Sequence, residues 1–164
     1  MTYRTVGPGI AGHQPIAETS TTKRHPLGTI IQANDPTYGA GEFIYLTGVA
    51  NTLAGHIVHY DAVYVTAIHT SALDHPRPLA VAMSANVASQ YGWYQISGQA
   101  VVLKSASLSL AAGDCIGAAS GSAVVVATGS ILQGMCVAAI ASAATGVTSV
   151  KVMINRPTDT SDVS

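Results

Sequence analysis

Charge is what this 164-residue chain has least of. Lys, Arg, Asp and Glu together make up 9% of it, against about a quarter in ordinary soluble domains. Seven basic and eight acidic residues leave a formal net charge of −1, so the basic footprint of a nucleic-acid binder is absent and no direct nucleic-acid partner is expected. Large aromatics are nearly as scarce, with one Phe, one Trp and seven Tyr. The 48% hydrophobic share therefore rests mainly on Ala and Val. Small side chains bury little area each, which calls for a closely packed, heavily hydrogen-bonded backbone. Two cysteines, Cys115 and Cys136, are too few for a disulfide framework and form no CxxC motif, so both are expected as small buried thiols. No charged start followed by an apolar run opens the chain, so no secretory signal is expected.

Long hydrophobic runs are missing too. From Cys115 to Val150 no residue is charged, yet Gly117, Gly121, Gly129, Gly134 and Gly146 break the segment. Its longest wholly apolar piece, residues 135–141, falls far short of the ~20 residues that a helix needs to cross hydrocarbon. The pattern predicts buried β-structure in a soluble domain, with no membrane partner. A chain this poor in charge is weakly protected against association, which predicts that much of its surface ends against other protein.

What is present is dense punctuation. Residues 1–25 carry Gly7, Pro8, Gly9, Gly12 and Pro15 and then ETSTTKRH, without periodicity in either register. They read as an extended arm or as a disordered leader with no role. The contact candidates in an arm are Tyr3, Arg4, Ile10, Ile16, Lys23 and Arg24. Residues 26–157 read as a β domain and 158–164 as a short polar tail. Within the domain, GTIIQA (28–33) is a strand and NDPTYGAGE (34–42) a turn with Asx chemistry. FIYLTGVA (43–50) and HIVHYDAVYVTAI (56–68) are strands, the second broken near Asp61. SALDHPRP (71–78) is a loop, because proline removes ladder donors. About nine short strands at a roughly ten-residue spacing predict an all-β fold, a β-sandwich, jelly roll or small barrel with an extended N-terminal arm. MSANVASQ (83–90) has room for one helical turn.

The search for chemistry returns little. His56 and His59 lie near Asp61, but three residues along a strand point to opposite faces, and shared metal ligation would need a bulge. A Ser-His-Asp set can be assembled around His69, Asp74 and His75, yet there is no GxSxG elbow to hold a nucleophile. Asp35 and Glu42 beside the first turn match ordinary turn chemistry. No Walker motif and no strand-borne GxGxxG are present. No catalytic residue, metal or cofactor is expected.

Surfaces remain. In QYGWYQISGQA (90–100) the only Trp stands between Tyr91 and Tyr94. Strand alternation puts Trp93, Gln95, Ser97 and Gln99 on one face and Tyr94, Ile96, Gly98 and Ala100 on the other. Tyr94 and Ile96 are expected in the core. Trp93, sharing a face with polar neighbours, is either a lid over a small-residue core or an interface anchor, since Trp and Tyr dominate such anchors.

HPLGTIIQANDPTYGAGEFIYLTGVANTLAGHIVHYD and PLAVAMSANVASQYGWYQISGQAVV together resemble the capsid cement, or head decoration, proteins of tailed bacteriophages. The likeness runs over residues 25–102 and loosely to MINRP (153–157). AAGDCIGAASGSAVVVATGSIL (111–132) departs from it, and residues 1–24 look like an added arm. The resemblance implies a compact β domain without enzymatic activity. It would be made in the host bacterial cytoplasm and bind the outer surface of the mature major-capsid-protein lattice. As part of the virion it would bridge capsid subunits as a homodimer or homotrimer. The expected interface residues are Tyr91, Trp93 and Gln95, with Asp35, Pro36 and Tyr38 on the first turn. Two other readings stay open: an outward-facing host- or glycan-recognition module, and a small metal-binding β-barrel enzyme built on His56, His59 and Asp61.

Overall fold

The computed structural model describes residues 4–5, 14–70, 77–125, 131–138 and 144–159. Among them are twelve strands and no helix. In chain order these are β1 (Arg4–Thr5), β2 (Thr19–Ser20), β3 (Ile30–Asp35), β4 (Gly39–Thr47), β5 (Ile57–Tyr60) and β6 (Thr66–Ile68). There follow β7 (Leu79–Ala82), β8 (Tyr91–Leu103), β9 (Ile116–Ala119), β10 (Ser122–Val125), β11 (Leu132–Val137) and β12 (Ser149–Asp159). The fold is all-β, as the spacing of short apolar segments predicts.

Ten strands share one sheet with antiparallel strand pairs, seven along the path β1-β3-β4-β8-β7-β5-β6 and β2, β11 and β12 attached beside it, while β9 and β10 form a separate two-stranded sheet. The path runs between two different end strands, an open sheet consistent with a β-sandwich, although one parallel bridge, Thr47–Val65, links β4 to the residue before β6. Its axis is β8, the longest strand. One edge of β8 pairs with β4, from Tyr91 opposite Thr47 to Gly98 opposite Gly41. The other edge takes β2 at Tyr91 and Gly92, β7 at Tyr94 and Gln95, and β12 from Ser97 to Leu103. Ile96 has no partner on β4, because Glu42 pairs with Ser97 and Phe43 with Gln95. That extra residue is a bulge, which bends the strand and tightens its twist.

Both faces of the central strands are buried. Phe43, Tyr45 and Trp93 point to one side with Ile16, Ala33 and Met83. Ile44, Leu46, Tyr94 and Ile96 point to the other, against Val58, Ala80 and Ala82. Further along, Ala100 and Val102 of β8 join Ile57, Leu79, Val81 and the apolar positions of β9, β11 and β12 in a third cluster. Tyr94 and Ile96 are therefore core residues, as strand alternation predicts. Double-sided burial also explains why FIYL shows no apolar–polar alternation: Phe43, Ile44, Tyr45 and Leu46 are all inside.

Several expected boundaries move. The first turn is three residues, 36–38, because β4 begins at Gly39 rather than Phe43. The arm expected over 1–25 packs against the domain from Gln14 onward, with Gln14, Ile16 and His25 buried. The tail expected from 158 begins later, since Thr158 and the buried Asp159 belong to β12. Residues 83–90 form bends and a turn, not a helical turn. Cys115 and Cys136, expected inside, are both exposed, because each lies at a position whose neighbours, Ile116, Met135 and Val137, take the inward side.

Gly98 is the tightest point of the β8–β4 pairing. Its φ of +99° lies where only glycine is comfortable, and a Cβ there would stand 2.4 Å from the Ala40 carbonyl oxygen. The obstacle is backbone, which cannot swing aside. Gly98→Ala is expected to lower unfolding stability by ~2 kcal/mol or more, read as a drop in the urea midpoint with the slope unchanged.

Candidate interaction surface

The aromatic cluster is built on adjacent strands. Tyr45 on β4 is the cross-strand partner of Trp93 on β8, and their ring centroids are 4.9 Å apart. His25 meets Tyr45 edge-on at 5.1 Å and lies 5.3 Å from Trp93. Over these rings runs the segment from Gln14 to His25, and Gln14 ties it down with every polar group it has. The Gln14 carbonyl accepts the indole N–H of Trp93 at 2.8 Å. Its side-chain Oε1 accepts the Tyr45 hydroxyl at 2.7 Å. Nε2 donates to the carbonyls of Glu18 and Tyr91, at 2.6 and 3.0 Å, and the backbone N–H donates to His25 Nε2 at 3.2 Å. Burial pushes the Tyr45 phenol above its ordinary pKa, opposed by the Arg24 N–H that it accepts.

Trp93 and Gln95, expected at a protein–protein boundary, are thus fully buried within their own chain. The reason is the strap: a segment that looks unstructured by composition covers the face on which they stand. Gln95 donates through Nε2 to the carbonyls of Ser97 and Gln99, both at 3.1 Å. Of that trio only Tyr91 keeps partial exposure.

The first turn is more open. Asp35 is itself buried, its Oδ1 accepting the N–H groups of Thr37 and Tyr38 at 2.8 and 3.0 Å. That Asx turn leaves Pro36 exposed and Tyr38 half-exposed, with the Lys151 ammonium 5.1 Å from the Tyr38 ring centroid. Beside the turn lies a groove of about 680 Å³ lined by Gln32, Asn34, Gly41, Glu42, Ser97 and Arg156. Arg156 and Glu42 pair at 3.1 Å in it. Arg4 and Thr5 pair with Asn34 and Ala33 on the β3 edge, so two residues of the arm occupy one end of that edge. Of the other arm candidates, Lys23 and Arg24 are exposed and Ile16 is buried; Tyr3 and Ile10 lie outside the described residues.

Sequence reasoning missed a second surface. Val63, Tyr64 and Val65 are 66%, 36% and 44% exposed. They read as strand because β-branched and aromatic residues alternate there, but they form the turn between β5 and β6. Asp61 organises it, its Oδ1 accepting the N–H groups of Val63 and Val65 at 3.0 and 2.9 Å. The available signal was that aspartate, which repeats the Asx chemistry of Asp35. Tyr64 holds a φ of +64° and lays its ring on Gly28, where a Cβ would come within 2.4 Å of it.

The histidines do not assemble the expected alternative site. His56 Nδ1 accepts the Leu53 N–H at 3.1 Å, while His59 faces His69, with ring centroids 6.0 Å apart. His69 Nε2 stands 3.9 Å from Asp159 Oδ2. No group of three or more His, Cys, Asp or Glu residues placed to hold a metal ion occurs among the described residues. Asp74 and His75 lie outside them. Comparison with protein families and with curated protein sequences found no match.

Two outcomes test these interiors. Gln14→Ala leaves the Tyr45 hydroxyl buried without its acceptor, which is expected to cost about 1–3 kcal/mol and to shift the emission of the single Trp to the red. Burial lowers the pKa of both His59 and His69, reinforced at His59 by His69 and Arg77 and opposed at both by Asp159. Well above the ordinary histidine range these histidines are uncharged in both states and contribute no pH dependence. Below the ordinary histidine range the unfolded chain takes up protons that the folded chain refuses, so stability falls with pH, by up to about 1.4 kcal/mol per unit for each histidine. Thermal melts from pH 7.5 to 5 are expected to show that fall, and His69→Gln is expected to flatten it.

Proposed function

We propose that this protein is a head-decoration protein of the tailed-bacteriophage type. It binds the outer surface of the mature capsid lattice and cements neighbouring capsid subunits, with itself and the major capsid protein as partners and no enzymatic role. The observation that carries the proposal is the β3 edge. This six-residue strand is the last but one on its side of the sheet, carries Arg4 and Thr5 of the arm opposite Asn34 and Ala33 among the described residues, and opens beside a groove and a projecting Asx turn. An edge that already accepts its own arm is chemically equipped to accept a strand from a neighbouring subunit. Asp35, Pro36 and Tyr38 sit at its end. The exposed Val63, Tyr64 and Val65 supply apolar area on a chain with little charge to keep it apart from other protein.

The energetics suit a lattice. A binder that recognises the assembled shell but not free subunits adds its binding free energy to shell stability. Each contact can be modest, because bridging two subunits raises the effective concentration at the second.

Co-sedimentation with undecorated mature phage capsids tests the proposal, using the full chain and a version lacking residues 1–13, which keeps the Gln14 strap. Saturable binding at a fixed ratio to the capsid protein is expected, weakened at least about tenfold by the truncation because the arm that would pair on a neighbouring copy's β3 edge, and so bridge the two, is gone. Failure of the folded full-length protein to bind any such capsid would sink the cement role; saccharide-dependent binding to cells instead would favour a recognition module.

A further inference from the structure

The two exposed thiols stand opposite one another. Cys115, just before β9, is the antiparallel bridge partner of Cys136 in β11. The Val137 N–H donates to the Asp114 carbonyl at 3.0 Å, one residue outside the pair, which makes Cys115–Cys136 a non-hydrogen-bonded pair. In that geometry the Cα atoms lie about 4.5 Å apart and both side chains lean together on one sheet face. A disulfide spans Cα separations of about 4.4–6.8 Å, so closure needs rotation of side chains and little movement of backbone. Access is open as well. Both cysteines are exposed, and they help to line a hollow of about 590 Å³ with Met153 and Asn155.

We propose that Cys115 and Cys136 form a redox-active dithiol that closes into an intrachain disulfide when a small-molecule disulfide reaches it. One cysteine thiolate attacks the external disulfide, forming a mixed disulfide and expelling one external thiolate. The second cysteine, as its thiolate, then attacks the protein sulfur of that mixed disulfide and expels the other external thiolate. Two protein thiols are oxidised, one external disulfide is reduced to two thiols, and the two protons pass to the expelled thiolates. A reducing cytosol keeps the pair open and an oxidising medium closes it.

The position gives the bond a consequence. The β9–β10 hairpin is a sheet of its own; among the described residues the bridges Cys115–Cys136 and Lys104–Ala123 and the Gly121 hydrogen bonds to Ile57 and His69 join it to the rest. A disulfide at the first of these staples the hairpin to β11 and closes a chain loop of about twenty residues, which restricts the unfolded ensemble. The chemistry belongs to the folded chain and stands whether or not the protein binds a capsid.

The test uses reduced full-length protein treated with oxidised glutathione, followed by intact mass, alkylation of remaining thiols, a non-reducing gel and a thermal melt. A mass loss of about 2 Da is expected, with no alkylatable thiol and a monomeric band. Tm is expected to rise by about 5 °C or more, and dithiothreitol should reverse the rise. Cys115→Ser, treated alike, is expected to hold glutathione at Cys136 as a stable adduct with no rise in Tm. Two glutathione adducts per chain, disulfide-linked dimers or unreacted thiols would overturn the pairing. A closed pair with unchanged Tm would overturn the staple.

Discussion

Everything else in this molecule depends on β8 being paired along both edges. A core drawn from Ala and Val gains little from each buried side chain, on the order of 25 cal/mol per Å² of apolar area, so regular backbone pairing has to carry more of the specificity. The thirteen residues of β8 meet β4 on one side and β2, β7 and β12 in turn on the other. Few positions in such a strand can be large. Gly92 and Gly98 sit where neighbouring groups come too close for a Cβ, and the strand spends its aromatic residues on Trp93 and Tyr94, back to back on opposite faces. Scarce aromatic volume is thus concentrated at the crossing point of the fold.

Gln14 shows the polar counterpart of that economy. Burying an amide without partners would cost several kcal/mol, yet here each of its donors and acceptors is engaged: two bonds reach β8, one reaches β4 and two hold the strap itself, at Glu18 and His25. Lys104 plays a similar part elsewhere, its buried ammonium donating to the carbonyls of Ser105, Leu108 and Ala144 at 3.2, 2.7 and 3.2 Å. In a chain with few charges, single polar side chains organise whole loops.

This explains what could be read from the residues and what could not. Local chemistry was legible: the Asx turn at Asp35, the break at Asp61, the opposite facing of Trp93 and Tyr94, and the all-β class follow from period-two alternation and turn residues. Long-range closure was not. Nothing within residues 14–25 announces that Gln14 will find Trp93 seventy-nine positions away, so the strap read as an extended arm or a leader without a role, and Trp93 as either a lid over the core or an interface anchor. VYV at 63–65 failed for the reverse reason, since β-propensity describes a preference for half-buried pleats and carries no knowledge of which turn a strand must leave. The exposed cysteines failed because an apolar neighbourhood in sequence does not say which way a single strand position points.

The strand edges then bear on function. Proteins that must stay apart blunt their edges with lysine, proline or bulges. β11 has such a device, a register shift between Gln133 and Met135 around Gly134, whose φ is +72°. β3, IIQAND, has none along its length: its one charged residue, Asp35, is turned inward to hold the hairpin. Among the described residues, Arg4 and Thr5 pair with Asn34 and Ala33 on that edge. Behind it, Gln14 ties the strap down over the aromatic cluster. On the proposed reading, a chain with a net charge of −1 and exposed valines at the β5–β6 turn would associate through the β3 edge, because strand addition supplies main-chain hydrogen bonds without asking for charged side chains.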